Sequence, residues 1–128
     1  MPPGQSQHQG SDGQRHVLIV DDDVMTLGSL KLAFSVEEGF AVEFAMNASE
    51  ALLKLKGRAF HAIVADFNLV GPNGDWLLRK VRDKYPSTRR VLLSGQEYPD
   101  ISRHLDPGLA DVFISKPVEL DELLEALG

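Results

Sequence analysis

Cysteine is absent from the 128-residue sequence, which excludes disulfides, thiolate metal sites and cysteine nucleophiles. Long apolar runs are also missing: none approaches the roughly 18 residues of a membrane span, and no charged-then-apolar leader opens the chain. Basic residues are few, since 13 Lys and Arg stand against 19 Asp and Glu, for a net charge of −6. That balance argues against binding nucleic acid or a membrane surface by charge alone. We expect a cytoplasmic protein.

The length fits one domain, and the mixture of 43% hydrophobic and 25% charged residues is too apolar for a disordered chain. Residues 1–14 contain mainly Gln, Gly, Ser and Pro with no apolar periodicity, so they predict a flexible tail. We therefore expect one folded domain over residues 15–128.

From His16 onward, short apolar runs alternate five times with amphipathic stretches. The runs predict strands at His16–Val20, Ala41–Ala45, Phe60–Ala65, Arg90–Leu93 and Asp111–Ile114. The helices are predicted around Leu27–Phe34, Ala48–Leu55, Leu78–Tyr85 and Pro99–Leu105, and from Pro117 to Leu127. Continuous apolar strands joined by helices predict an α/β fold of (βα)5 type, in which helices cover both faces of a parallel sheet.

Polar side chains follow four of the five predicted strands, at the point where each strand ends. They are Asp21, Asp22 and Asp23 after the first strand, Asp66 after the third, Ser94 after the fourth and Lys116 after the fifth. The carboxyl ends of parallel strands meet at one edge of the sheet, where ligands bind in such folds. We therefore expect these side chains to share one rim.

Each of these residues also has a structural explanation when taken alone. Any aspartate of Asp21–Asp23 can cap the first helix, Asp66 suits a turn, and Ser94 can cap the next turn. Three successive carboxylates repel one another, however, and capping needs only one. A hard divalent cation such as Mg²⁺ would offset that repulsion. Carboxylates, an ammonium and a hydroxyl around a cation are the parts needed for phosphoryl transfer to an acidic side chain.

Four stretches occur in a fixed order along the chain: VLIVDDD at Val17–Asp23, IVADFNL at Ile63–Leu69, VLLSG at Val91–Gly95 and FISKP at Phe113–Pro117. With them the chain resembles the receiver domain of two-component response regulators, from His16 to about Leu127. The resemblance implies a doubly wound, flavodoxin-like five-stranded sheet of order 2-1-3-4-5. It also implies a phosphorelay function, with a histidine kinase or histidine phosphotransfer protein as donor.

The resemblance further implies a role for individual residues. Asp66 would be the phosphorylated residue, and Lys116 would pair with the phosphoryl group. Mg²⁺ or Mn²⁺ would be held by Asp21, Asp22, Asp66 and the backbone carbonyl of Asn68. Ser94 and Phe113 would form the conformational switch, while Asn68 and Gln96 would tune the phosphoryl lifetime. The output surface would comprise the fourth helix, fifth strand and fifth helix, and the domain would not be a turnover enzyme.

The chain departs from the family pattern near the predicted acceptor. His61 stands where an acidic residue is frequent, and Val70 stands where proline is common. Pro72 comes two residues later, and Gly74 falls where a glycine is expected. None of these departures removes a residue of the phosphorylation set.

Two alternatives remain. Asp21-Asp22-Asp23 after a hydrophobic strand also resembles the D-x-D motif of haloacid-dehalogenase-like phosphatases, with Asp21 as the nucleophile. Those enzymes need a further acidic pair on a later strand, whereas only Pro117–Gly128, a predicted helix, follows Lys116. The second alternative is a receiver-like interaction module that signals without phosphorylation, against which the intact set of polar residues speaks.

Overall fold

A computed structural model describes residues 13–96 and 101–128, apart from the side chain of His104. The strands are β1 (Arg15–Val20), β2 (Phe40–Ala45), β3 (Ala62–Asp66), β4 (Arg89–Ser94) and β5 (Val112–Ser115). The helices are α1 (Val24–Phe34), α2 (Ala48–Gly57), α3 (Gly74–Lys84) and α4 (Leu120–Leu127), with a 3₁₀ helix at Ser102–His104. No helix of this described part is long and apolar enough to cross a membrane.

The five strands form one parallel sheet of order β2-β1-β3-β4-β5, which confirms the predicted fold. Alternate side chains of each strand point to opposite faces, so the sheet has two apolar cores. Leu18, Ile63 and Leu92 face a core with α2 and α3. Val17, Val64 and Leu93 face a core with α1 and α4. Because the central strands are buried on both faces, their sequences are continuously apolar.

Side-chain hydrogen bonds hold the start of α2. Asn47 Oδ1 accepts a hydrogen bond from the Glu50 amide at 2.8 Å, and Glu50 Oε1 accepts one from the Met46 amide at 2.8 Å. The first bond satisfies an amide that the helix start would otherwise leave without a partner, and the second ties Met46, the residue before the N-cap, to the first turn. Local chemistry therefore fixes the entry into α2 directly after β2.

Most predicted boundaries are shifted by a few residues in the structure, those of the third strand and the last helix among them. The third strand starts at Ala62, because the Phe60 carbonyl instead accepts a bond from the Thr88 hydroxyl at 3.1 Å. The last helix was predicted to begin at Pro117, but the Lys116–Pro117 peptide is cis and the helix begins only after the extended residue Glu119. The predicted fourth helix lies partly outside the described residues, in which an α-helical residue, Ile101, precedes the 3₁₀ helix. The predicted tail also lies outside them, except for residues 13 and 14.

Side chains from the first residues of β1 and β4 and from the residue before β3 hold the end of α4. The last backbone carbonyls of a helix have no partner within it, so they need donors from elsewhere. The donors are Arg15 to the Gly128 carbonyl, the ring Nε2 of His61 to Leu127 at 2.6 Å, and Nε of Arg89 to Ala126 at 2.5 Å. This contact fastens the end of α4 to the sheet edge opposite the predicted polar rim.

Candidate functional site

Three carboxylates converge at the carboxyl end of the sheet. One oxygen from each of Asp21, Asp22 and Asp66 lies within 4.8 Å of the others. Asp21 directly follows β1, and its amide still pairs with the Ala45 carbonyl of β2 at 3.0 Å. The side chain of Asp21 is fully buried and residue Asp66 is only 5% exposed, while Asp22 is half-buried. Sequence reasoning predicted this convergence from the strand ends.

Lys116 supplies the positive charge of the cluster. Its Nζ lies 2.8 Å from Asp21 Oδ2 and 3.1 Å from Asp66 Oδ2. The Lys116 amide donates to the Ser94 carbonyl at 2.8 Å, which continues the pairing of β4 with β5 beyond the last strand residue. The sheet itself therefore carries the lysine to the two carboxylates.

Backbone amides hold one oxygen of each buried carboxylate. Asp21 Oδ1 accepts from the Asp23 amide at 2.9 Å, and Asp66 Oδ1 accepts from the Asn68 amide at 3.3 Å. Asp21 Oδ2 is buried and accepts no hydrogen bond of ordinary geometry within the described part of the chain; its charge is met by the Lys116 ammonium. A buried anionic oxygen in this state is costly, and a cation would satisfy it.

The electrostatics of the cluster appear in two shifted pKa values. Burial, together with the negative charge of Asp21, raises the pKa of Asp66, although Lys116 acts in the opposite direction. Burial lowers the pKa of Lys116, but its close contacts with the negatively charged Asp21 and Asp66 outweigh that effect and raise the pKa. The site therefore has more negative charge than its single ammonium neutralises.

The donor set fits a hard divalent cation. Carboxylate oxygens are the ligands that Mg²⁺ and Mn²⁺ prefer, and Mg²⁺ uses one or two of them with water. Asp21, Asp22 and Asp66 provide such oxygens, including the buried Asp21 Oδ2 that lacks a well-formed hydrogen bond. The part predicted for the Asn68 carbonyl stays a prediction, although the Asn68 amide does contact Asp66.

The loop after β3 is built tightly around the backbone of Asp66. A Cβ on Gly74 would overlap the Asp66 carbonyl oxygen, so no side chain fits at this position. The Gly74 amide donates to the Phe67 carbonyl at 2.9 Å and closes the loop, and Leu69 is buried in the core. The close approach of Gly74 was not predicted from residue type; only the resemblance pointed to a glycine here.

The same loop contacts Asp22, one of the clustered aspartates after β1. Sequence reasoning did not predict this contact. The Val70 amide donates to Asp22 Oδ2 at 2.8 Å, across 48 residues of sequence. The departure at Val70, which stands where proline is common in the family, leaves an N–H that proline lacks, but residue type does not say which acceptor that N–H meets.

Asp23 has a different task from its two neighbours. Its carboxylate accepts from the Met25 amide at 3.1 Å and from the Thr26 hydroxyl at 2.7 Å, and so caps α1. The Thr26 bond, with the Met25 bond second, lowers the pKa of Asp23. The capping explanation therefore applies to Asp23, while Asp21 and Asp22 join the carboxylate cluster.

The predicted switch residues lie on the two strands beside the cluster. Ser94 is buried at the end of β4, and its Oγ accepts from the Gln96 amide at 2.9 Å. Phe113 lies opposite Leu92 in the β4–β5 register and is half-buried. It borders a cavity of about 430 Å³ between these strands and the segment before β5. Their switching role stays a prediction.

Comparison with known proteins gives a consistent result. The family described as the response regulator receiver domain matches residues 17–128. The hydrogenase transcriptional regulatory protein HoxA of Bradyrhizobium diazoefficiens is 32% identical over 115 residues, which cover 89% of this chain and 23% of HoxA. The chain spans less than two thirds of the length of the curated relatives it matches.

Solved structures agree with the sequence comparison. A CheY-like response regulator receiver domain protein of Methanospirillum hungatei is 33% identical, with a TM-score of 0.79 over 88% of this chain and 89% of that one. A Burkholderia pseudomallei response regulator, solved with a phosphorylated aspartic acid, a calcium ion and citrate, is 28% identical, with a TM-score of 0.78 over 90% and 67% of the two chains. With its fold, its converging carboxylates and its matching sequence, this chain belongs to the receiver domains of the response regulators of two-component signalling.

Proposed function

We propose that this receiver domain takes a phosphoryl group onto Asp66 from a phosphohistidine, in a reaction that depends on Mg²⁺ or Mn²⁺. The donor is a histidine kinase or a histidine phosphotransfer protein. The observation that carries the proposal is the buried carboxylate of Asp66, 3.1 Å from the Lys116 ammonium and within 4.8 Å of two further carboxylates. The domain then acts as a resettable switch and not as a turnover enzyme.

The transfer makes one bond and breaks another. A carboxylate oxygen of Asp66 attacks phosphorus, and the phosphorus–nitrogen bond of the donor breaks with its electron pair remaining on the imidazole. Lys116 lies where it meets the negative charge brought by the phosphoryl oxygens. Mg²⁺, held by Asp21, Asp22 and Asp66, would supply further positive charge to those oxygens. The product is an acyl phosphate, whose hydrolysis by water resets the switch.

The response to phosphorylation involves Ser94 and Phe113. The buried Ser94 hydroxyl has a proton to donate to a phosphoryl oxygen, because its bond to the Gln96 amide uses it only as an acceptor. Movement of Ser94 would free space for Phe113 to turn inward and change the surface made by the residues before β5, β5 itself and α4. That surface would pass the signal to an output domain or a partner; HoxA, as a transcriptional regulatory protein, illustrates one such output.

Intact-mass spectrometry after incubation with acetyl phosphate and Mg²⁺ tests the proposal. We expect one phosphoryl adduct on the parent chain, none without the divalent cation, and none on Asp66→Ala. Absence of an adduct on the parent, with a donor shown to be active, would count against phosphorylation and favour an interaction module. An adduct that survives in Asp66→Ala would show that another residue is the acceptor. Asp21 would then be the first candidate, because the phosphatase alternative assigns it as the nucleophile.

A further inference from the structure

Of the three clustered carboxylates, Asp22 is held differently from the other two. Asp21 and Asp66 are buried, and each contacts the Lys116 ammonium. Asp22 is half-buried, and the donor that reaches it within the described part of the chain is the Val70 amide. A half-buried carboxylate without such a bond would sample several rotamers, and each binding event would have to freeze that freedom.

The position of the Val70 amide is itself well determined. Leu69, immediately before it, is buried in the core, and Gly74 closes the loop against the backbone of Asp66. The Val70 side chain, in contrast, is 78% exposed. The contribution of residue 70 to the site is therefore its backbone N–H, while its side chain faces solvent.

We propose that the Val70 N–H is a positioning group for the cation site: by binding Asp22 Oδ2 it preorganises the half-buried carboxylate for the divalent ion. The inference rests on the proposed function, because it assigns a role toward the cation of that site. The bond also links the loop after β3 to Asp22, which follows β1. Asp22 and Asp66 therefore keep fixed positions relative to each other before the ion binds.

The test removes the N–H without removing the loop. Val70→Pro lacks the amide hydrogen, and Val70→Ala keeps it and serves as the matched control. A second variant replaces the 69–70 amide by an ester through incorporation of 2-hydroxyisovaleric acid, which deletes the N–H while keeping the valine side chain. The ester keeps the inference testable if proline disturbs the loop.

Isothermal titration of the full chain with MgCl₂, in the absence of a phosphoryl donor, measures the affinity directly. Loss of one such hydrogen bond predicts about three- to tenfold weaker Mg²⁺ binding in the proline and ester variants, and unchanged binding in the alanine variant. In a second measurement with acetyl phosphate, the half-saturating Mg²⁺ concentration should rise by the same factor while the maximal rate stays unchanged. Simple damage to the loop would instead lower the maximal rate.

The possible outcomes separate this inference from the proposed function. Unshifted Mg²⁺ affinity in both the proline and ester variants, with parental melting temperatures in EDTA, would overturn the inference alone. Equal weakening in the alanine control would also overturn it, because the side chain and not the N–H would then matter. A parent that binds no Mg²⁺ would overturn both the inference and the cation dependence, whereas an intact affinity pattern with no phosphoryl adduct would overturn the phosphorylation alone.

Discussion

The Nζ of Lys116 lies 3.1 Å from Asp66 Oδ2 and shares its charge with Asp21 Oδ2 at 2.8 Å. One ammonium thus offsets the repulsion between two carboxylates that lie close together in a buried site. The lysine reaches them from β5, the strand farthest along the sheet from β1, because the ends of parallel strands share one edge. Because the bridge joins buried charges, we expect mutations of Lys116 and Asp66 to change the stability of the metal-free protein.

Lys116→Met should destabilise the metal-free protein by about 2 kcal/mol, because it leaves the buried Asp21 carboxylate without its counter-charge. Lys84→Met is the matched control: that lysine is exposed and has no ion pair within the described residues, so the change should stay within about 0.5 kcal/mol. Urea unfolding in EDTA measures both. Equal effects of the two variants would mean that the bridge adds no stability.

Asp66→Asn should raise the stability of the metal-free protein at neutral pH. The pKa of Asp66 is raised above its ordinary 3.8, so the folded state binds the proton more tightly than the unfolded state. The free energy of unfolding of the parent therefore falls as pH rises from about 3.8 through the raised pKa, and Asn escapes this loss. Thermal melts of parent and variant from pH 3 to pH 8 in EDTA provide the measurement, and curves that run parallel would contradict the assignment.

Added Mg²⁺ should reverse that ranking. Ligand binding to the folded state stabilises it according to the ligand concentration relative to Kd, so the parent gains more than a variant that has lost one carboxylate. The same melts, repeated at MgCl₂ concentrations well above the Kd of the parent, are the comparison. Equal gains in the two proteins would remove Asp66 from the ligand set.

Gly74→Ala should displace the loop after β3, since the added methyl group overlaps the Asp66 carbonyl oxygen. We expect a loss of about 2 kcal/mol of stability and a slower rate of phosphorylation by acetyl phosphate. Gly28→Ala is the control, because a Cβ there meets nothing within 4 Å inside α1 and should stabilise the helix by about 0.5 to 1 kcal/mol. A normal phosphorylation rate in Gly74→Ala would show that the loop can move without cost.

Asp23→Ser should leave Mg²⁺ affinity unchanged, because serine keeps a cap for α1 and Asp23 stands outside the carboxylate cluster. Asp22→Asn should weaken Mg²⁺ binding clearly, since it removes a charge from the cluster. Titration calorimetry on both variants separates the two roles of the aspartate run. A loss of affinity in Asp23→Ser similar to that in Asp22→Asn would mean that all three aspartates serve the cation.

The parallel sheet could be predicted because burial on both sheet faces leaves a clear mark in residue type. The meeting of Asp21, Asp66 and Lys116 followed from their places at the strand ends, whereas the order of the strands came only from the resemblance to the receiver family. The start of α4 could not be predicted. Proline favours a first helical turn, but the backbone stays extended at Glu119 and the helix begins only at Leu120. The Val70–Asp22 bond was also out of reach: it depends on where a loop amide points, and side-chain identity carries no record of that direction.

The fastening of α4 by Arg15, His61 and Arg89 has a mechanical consequence. The helix is pinned at its last carbonyls, while its first turn, four residues after Lys116, has no side-chain cap. Because three donors hold the last carbonyls, we expect a backbone displacement at Lys116 to move the first turn of α4 more than its last turn. We therefore expect a partner that responds to the state of Asp66 through α4 to contact the first turn of this helix.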